Sequence, residues 1–340
     1  MLGAYYSKVV DSKVIFDKLK ISKNDDYLEK LNKYNVISIS FAEIDSNCSN
    51  CVEYIDRISN LLREDLKEKF PKANIDEKYT IWEVFSQLDE KFIFIFDEWD
   101  YIFNANIFEE DQDKFLEFLM KLLKDKPYVA LAYMTGILPI KKYSSGSSLN
   151  MFDEFTILND MIDGEYFGFT EEEVKVLCDK QSSISFDEIS SWYNGYLSEE
   201  GSRIYNPRSV IKALKNKKCK SYWTNTGAMD EVEEYLKYNI LEIRDEVIEM
   251  VSGEEIDIFI DEEFRAGQGT PKTKEEIYSA MIVLGFLSYH DGYLKIPNKE
   301  LMKEFEKALS DESFGYVSKI IENSKKMLKA TVDRNTEVVE

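Results

Sequence analysis

Three acids, Asp97, Glu98 and Asp100, follow directly on the apolar run Phe92-Ile93-Phe94-Ile95-Phe96. Carboxylates at this spacing can divide one reaction between them. The first holds a magnesium ion, usually through water, and the second polarises a water for attack on phosphorus. Asp100 is placed to orient either of them. Whether the groups can work together depends on the element that carries them. A short run of aromatic and β-branched residues reads as a strand buried on both faces. Ligands of open α/β sheets sit beyond the carboxyl ends of the strands, so acids that close such a strand stand where a ligand would lie. An acidic turn after a buried strand is the plainer reading of the same residues.

This is the layout of a Walker B element. Thr135 closes a second apolar run, Tyr128 to Met134, one crossover helix further on. In P-loop ATPases a polar residue at that place senses the γ-phosphate; the alternative is a strand-terminal threonine beside Gly136. Arg208 can serve as a charge-stabilising finger, or as a surface residue in the first turn of a helix. The phosphate loop that should accompany these groups, Gly-x-x-x-x-Gly-Lys-Ser/Thr, occurs nowhere in the 340 residues. The Ser-Gly tract Tyr143 to Ser148 has no lysine behind it and reads as a loop.

Asn35 to Phe41 reads as a further strand. Val52, Ile55, Ile58, Leu61, Leu62 and Leu66 recur at helical spacing, as do Phe115, Phe118, Leu119, Leu122 and Leu123. Strands alternating with helices predict parallel βαβ units with right-handed crossovers. Glu154 to Leu158 is a candidate for one more short strand. Beyond Phe167 the pattern changes. Thr170 and Glu173 predict a capping box, and Asn206-Pro207 predicts a helix start. A hairpin is expected to turn near Glu199 to Gly201, and another at Asp291-Gly292 after a helix over Lys274 to Leu284. Helix followed by hairpin is compatible with a winged-helix-like unit.

The formal net charge is -22, which disfavours a generic grip on nucleic acid or anionic lipid. The basic run Lys215, Lys217, Lys218 and Lys220 reads as a solvated helix end. Cys48 and Cys51 form a C-x-x-C, but Cys178 and Cys219 are not spaced as a second pair, so all four cysteines read as reduced thiols. The single histidine, His290, argues against Ser-His-Asp hydrolysis and His-rich metal sites. There is no apolar run long enough for a membrane span and no secretory leader, so a cytoplasmic location is expected.

Several segments, in order, resemble the AAA-ATPase-like family of bacterial and archaeal proteins. They are Ala4-Tyr5-Tyr6-Ser7, Phe96-Asp97-Glu98-Trp99-Asp100, Thr135-Gly136-Ile137-Leu138 and Tyr166 to Val174. They continue with Trp192-Tyr193-Asn194-Gly195-Tyr196, Tyr205-Asn206-Pro207 with Ser209, Tyr222 to Thr226, and Ile296-Pro297-Asn298-Lys299-Glu300. The resemblance runs from Met1 to about Glu300. It implies an α/β fold, a P-loop NTPase-type parallel sheet lacking its first strand, followed by a mostly helical, winged-helix-like region. The implied domains are a partial nucleotide-binding core over 1–163, a helical lid and winged-helix-like region over 164–300, and the helical start of a truncated segment over 301–340.

By the same resemblance Asp97 is magnesium-associated, Glu98 is the catalytic carboxylate and Thr135 is the sensor. ATP and Mg2+ are implied for a full-length parent, with an appended nuclease-like domain or another protein as partner. The chain reads as a fragment, because the family's Walker A loop and nuclease-like domain are not in it. Without the loop's N–H cradle and lysine, it is expected to bind no nucleotide tightly and to be inactive alone. A non-enzymatic protein-binding scaffold derived from an ATPase fold is the alternative. A helicase ranks last, because arginines are scarce and unclustered after Arg208.

Overall fold

Alternation along the Phe92 strand sends Phe92, Phe94 and Phe96 to one side and Ile93, Ile95 and Asp97 to the other. In the structure, a computed structural model, the three phenylalanines enter a core with helices on that side. The structure describes residues 1–44, 47–139, 151–156, 166–181, 183–197, 201–223, 236, 242–260, 265 and 271–309. The chain divides into two compact units, Met1–Glu154 with Arg265–Gly269, and Phe155–Phe264 with Thr270–Glu340.

The first unit begins with three short helices, α1 (Leu2–Tyr6), α2 (Lys13–Phe16) and α3 (Tyr27–Lys30). Then come β1 (Asn35–Ser40), α4 (Cys51–Lys69), α5 (Ile81–Gln87) and β2 (Phe92–Asp97). The unit continues with α6 (Tyr101–Asn104), α7 (Gln112–Leu123) and β3 (Val129–Met134). The three strands form a parallel sheet in the order β1-β2-β3. The expected βαβ alternation is therefore present, with β2 in the centre.

Helix α4 starts where Asn50 accepts from the Glu53 amide at 3.0 Å. It turns Tyr54, Ile58, Leu62 and Leu66 inward. These meet Phe85 of α5, Phe115 and Leu119 of α7, and the phenylalanine face of β2. The opposite face is covered unevenly. A Cβ at Gly3 of α1 would lie 3.7 Å from both Ile95 and Val36, so α1 sits over β1 and β2. On β3, Leu131 and Tyr133 share that face, and each remains 37% exposed.

The second apolar run is therefore not the fully buried strand its composition predicts. Among the described residues it lies at the sheet edge, with β2 as its partner strand and with Leu131 and Tyr133 left partly exposed. Val-Ala-Leu-Ala-Tyr-Met carries no charge or proline to blunt that edge.

The second unit holds β4 (Phe169–Thr170), α8 (Glu171–Asp179), α9 (Phe186–Tyr193), β5 (Tyr196–Leu197), β6 (Arg203–Tyr205) and α10 (Pro207–Asn216). It goes on through α11 (Ile243–Ser252), β7 (Ile256–Asp257), α12 (Lys274–Val283), β8 (Ser288–His290), β9 (Tyr293–Lys295) and α13 (Lys299–Leu309). Two small antiparallel sheets result, β4-β6-β5 and β7-β9-β8. The capping box forms as the sequence predicts: the Glu173 amide donates to Thr170 Oγ1 at 3.3 Å, and the Thr170 amide to Glu173 Oε2 at 3.2 Å. Asn206 caps α10, accepting from the Ser209 amide at 3.2 Å. Asp291 and Gly292 take φ of +50° and +86°, the left-handed pair that closes a two-residue hairpin.

Residues 154–156 form no strand. Several expectations lie outside the described residues: the loop Tyr143 to Ser148, the turn at Glu199 and Glu200, the stretch Thr224 to Thr226, and everything past Leu309. No helix among the described residues is long and apolar enough to cross a membrane.

Candidate functional site

The register sets Ser40 beside Asp97, and the ladder continues past Met134 to Thr135. Thr135 donates its amide to the Phe96 carbonyl at 2.8 Å. Three parallel strands thus end in one row, serine, aspartate and threonine, on a single face at their carboxyl ends. Asp97 and Glu98 are both exposed there.

Asp97 Oδ1 accepts from the Thr135 hydroxyl and, at 3.1 Å, from the Glu98 amide. Glu98 takes a φ of +51°, a conformation that costs a residue with a side chain roughly 1–2 kcal/mol. The left-handed step interrupts strand alternation, which would otherwise send neighbouring side chains to opposite faces. It leaves Glu98 on the same row: Ser40 Oγ donates to Glu98 Oε2 at 3.4 Å.

Asp97, Glu98 and Thr135 are thus brought together, and Ser40 joins them. Ser40 escaped the sequence reading because a serine at a strand end reads as a solvent-facing residue. Its two-residue spacing from Ser38 and Val36 was the available signal.

Asp100 does not orient either carboxylate, as the sequence spacing suggested. It is buried, and its Oδ2 accepts from the Ile137 and Leu138 amides at 2.8 and 2.7 Å. The turn at Glu98 carries it under the chain leaving β3, away from the exposed row.

The oxygen donors bear on the implied metal. Two carboxylates and two hydroxyls are hard ligands, suited to magnesium and not to zinc. Among the described residues no group of three or more His, Cys, Asp or Glu could hold a metal by itself. The row therefore fits a cation that keeps most of its ligands as water or phosphate oxygens, as magnesium does.

The other candidates fall elsewhere. Arg208 is exposed in the first turn of α10, in the second unit. Lys215 and Lys217 lie at the end of α10, where Lys217 is the left-handed cap, as a solvated helix end requires. Cys51 lies in the core of the first unit, and burial pushes its thiol up to about 11; burial likewise raises Cys219 to about 11. These thiols stay protonated at neutral pH and are poor nucleophiles. Labelling the native chain with iodoacetamide at pH 7.5 is expected to modify the half-buried Cys48 first. Cys51, Cys178 and Cys219 should react only after unfolding. Native labelling of Cys51 at the rate of Cys48 would contradict its placement.

The motif segments around Ser209 and Tyr222 meet in the second unit on Glu300, which is 1% exposed. Its Oε1 accepts from Ser209 Oγ at 3.1 Å, from the Trp223 amide at 3.0 Å and from the Tyr222 amide. Gly195 lies against the Pro297 backbone, and the Tyr196 hydroxyl donates to the Gly285 carbonyl at 2.5 Å. Burial, then the charge of Glu300, pushes the Tyr196 hydroxyl far above its ordinary pKa. These residues build a joint between two cores and do not present an exposed reactive group.

Residues 1–145 match the family model described as predicted AAA-ATPase. No curated protein matches the chain. Among solved structures, the Walker-type ATPase of Pyrococcus abyssi is similar at 15% identity, over 84% of this chain and 89% of that one, with a TM-score of 0.39.

Proposed function

We propose, from the site geometry and the match of residues 1–145 to the model described as predicted AAA-ATPase, that the row Ser40, Asp97, Glu98 and Thr135 is the metal- and water-handling half of an ATP-hydrolysing site. Asp97 would hold magnesium, which when bound supplies charge neutralisation on the β- and γ-phosphates. Glu98 orients and deprotonates the attacking water. Thr135 donates to Asp97 and reports on the γ-phosphate position. The observation that carries the reading is the convergence of these side chains at the carboxyl ends of three parallel strands, where α/β sheets bind ligands.

The finer fold follows the same reading. A P-loop sheet without the strand that precedes the phosphate loop accounts for the open, apolar edge of β3. The order α12, hairpin β8-β9, α13 supports a winged-helix-like second region. The proposed division remains a nucleotide core over 1–163, a lid and winged-helix-like region over 164–300, and a helical segment from 301.

The 340 residues contain no phosphate-binding lysine motif, so the chain alone releases no phosphate from ATP. Two measurements test the proposal on the purified chain. Electron paramagnetic resonance of added Mn2+ should reveal a site whose affinity falls about tenfold in Asp97→Asn, the loss of one charged ligand. A phosphate-release assay should stay at background. Mn2+ binding indifferent to Asp97→Asn sinks the site. Steady phosphate release that Glu98→Gln abolishes sinks the claim of inactivity.

A specific observation favours the second reading, a protein-binding scaffold. Val9, Val14, Ile15 and Leu28, all within the first 28 residues, are 60–69% exposed, and apolar surface left bare in this way is what a partner would cover. Partner capture indifferent to ATP and magnesium would favour the scaffold over the ATPase.

A further inference from the structure

We propose that Asp100 is the positioning residue of this site, fixing the chain that leaves β3 so that the Thr135 hydroxyl stands on Asp97. The inference rests on the reading of Asp97 and Thr135 given above and assigns the part that holds them in place.

Thr135 is clamped from both sides. Before it, the ladder to β2 fixes the backbone: its amide donates to the Phe96 carbonyl at 2.8 Å, and its carbonyl accepts from the Trp99 amide at 3.1 Å. After it, the chain has left the ladder, and the Ile137 and Leu138 amides take their hydrogen bonds from a side chain instead of a neighbouring strand. Asp100 Oδ2 takes both, at 2.8 and 2.7 Å, and Asn104 Nδ2 donates to the same oxygen at 2.8 Å. Hydrogen bonds to an ionised oxygen are about twice as strong as neutral ones, so one carboxylate can hold a turn that has no ladder.

The clamp closes around the only residue type that fits. A Cβ at Gly136 would lie 2.6 Å from Asp100 Oδ1 and 2.6 Å from Trp99 Nε1. Oδ1 itself is buried with no hydrogen-bond partner. A buried acceptor left unpaired costs stability. That cost sits two residues from the exposed Glu98, as strain at a working site does. Freed from Asp100, residues 136–138 would relax, and the Thr135 hydroxyl would lose its fixed bearing on Asp97.

The test uses the full 340-residue chain with Asp100→Ala, Asp100→Asn, Thr135→Val and Asp97→Asn. It reads amide hydrogen exchange at Ile137 and Leu138, and Mn2+ affinity by paramagnetic resonance. Asp100→Ala should speed exchange at both amides about tenfold or more and weaken Mn2+ binding by the same factor as Thr135→Val. Asp100→Asn keeps one acceptor oxygen and should restore most of both. A purely structural role would raise exchange and leave Mn2+ binding at the wild-type value, which overturns the proposal, as does unchanged exchange. If Asp97→Asn leaves Mn2+ binding unaltered, the site reading has failed, and the positioning role fails with it. If Asp97→Asn weakens binding while Asp100→Ala does not, only the positioning role has failed. Should Asp100→Ala not fold, Gly136→Ala replaces it. That substitution crowds Oδ1 while keeping the carboxylate, and unchanged Mn2+ affinity there is equally fatal.

Discussion

Glu300→Leu is expected to destabilise the second unit by about 3–5 kcal/mol, the cost of three buried donors left unpaired less the relief of removing a buried carboxylate. Three donors meet on one oxygen: the Ser209 hydroxyl and the Tyr222 and Trp223 amides. Leucine fills the space and satisfies none of them. Each donor left buried and unpaired costs about 1–3 kcal/mol. Against this stands the relief of no longer burying a carboxylate, since none of the contacts on Oε1 comes from a cationic side chain. The donors win because two are backbone amides on a segment that cannot turn away without unseating Trp223 from Phe286, 5.6 Å away between ring centroids.

Glu300→Gln separates the two terms. It keeps an acceptor in place and removes the charge, so its loss should stay near 1 kcal/mol. Urea unfolding followed by tryptophan fluorescence reads both variants. Equal losses in the two would mean that the charge matters and the three-donor geometry does not. A wild-type midpoint for Glu300→Leu would remove Glu300 from the joint altogether.

Part of this was legible from residue order. The β2 run, the parallel alternation, the Thr170 capping box and the Asp291-Gly292 hairpin all rest on local patterns, whose periods the backbone imposes. The β3 run misled because Val-Ala-Leu-Ala-Tyr-Met has the composition of a doubly covered strand. Coverage depends on which elements lie over Leu131 and Tyr133, and spacing along β3 does not encode that.

At the site, Asp97, Glu98 and Thr135 could be singled out because each closes an apolar run. Ser40 and Asp100 could not be given roles in the same way. The partner of Ser40 is Glu98, across the sheet, and the partners of Asp100 are amides beyond the next strand. In the sequence the segments around Gly195, Tyr222 and Glu300 carry meaning only as an ordered set. Hydrogen bonds to the Glu300 carboxylate join the Ser209 and Tyr222 segments, and the Gly195 contact with Pro297 joins a third segment to the same stretch.

Gly195→Ala is the second large effect expected, a loss of about 4 kcal/mol or more, in the tail reserved for backbone collisions. Gly195 takes a φ of +126°, and an added Cβ would fall 1.9 Å from the Pro297 carbonyl oxygen. No rotamer relieves this, because both sides of the contact are backbone. Pro297 cannot retreat easily. The next residue, Asn298, caps α13 by accepting from the Leu301 amide at 3.1 Å, and Glu300 is held by the three donors. Strain alone does not explain a loss of that size, and Gly292→Ala provides the control. Gly292 has a φ of +86° with nothing within 4 Å of its Cβ position, so alanine there should cost only about 1–2 kcal/mol for the left-handed backbone. Thermal unfolding of the two variants compares the terms directly. A much lower Tm for Gly195→Ala than for Gly292→Ala assigns the difference to the contact between the Trp-Tyr-Asn-Gly-Tyr and Ile-Pro-Asn segments. Equal shifts would mean that the two segments do not meet at Gly195, and the joint around Glu300 would have to be redrawn.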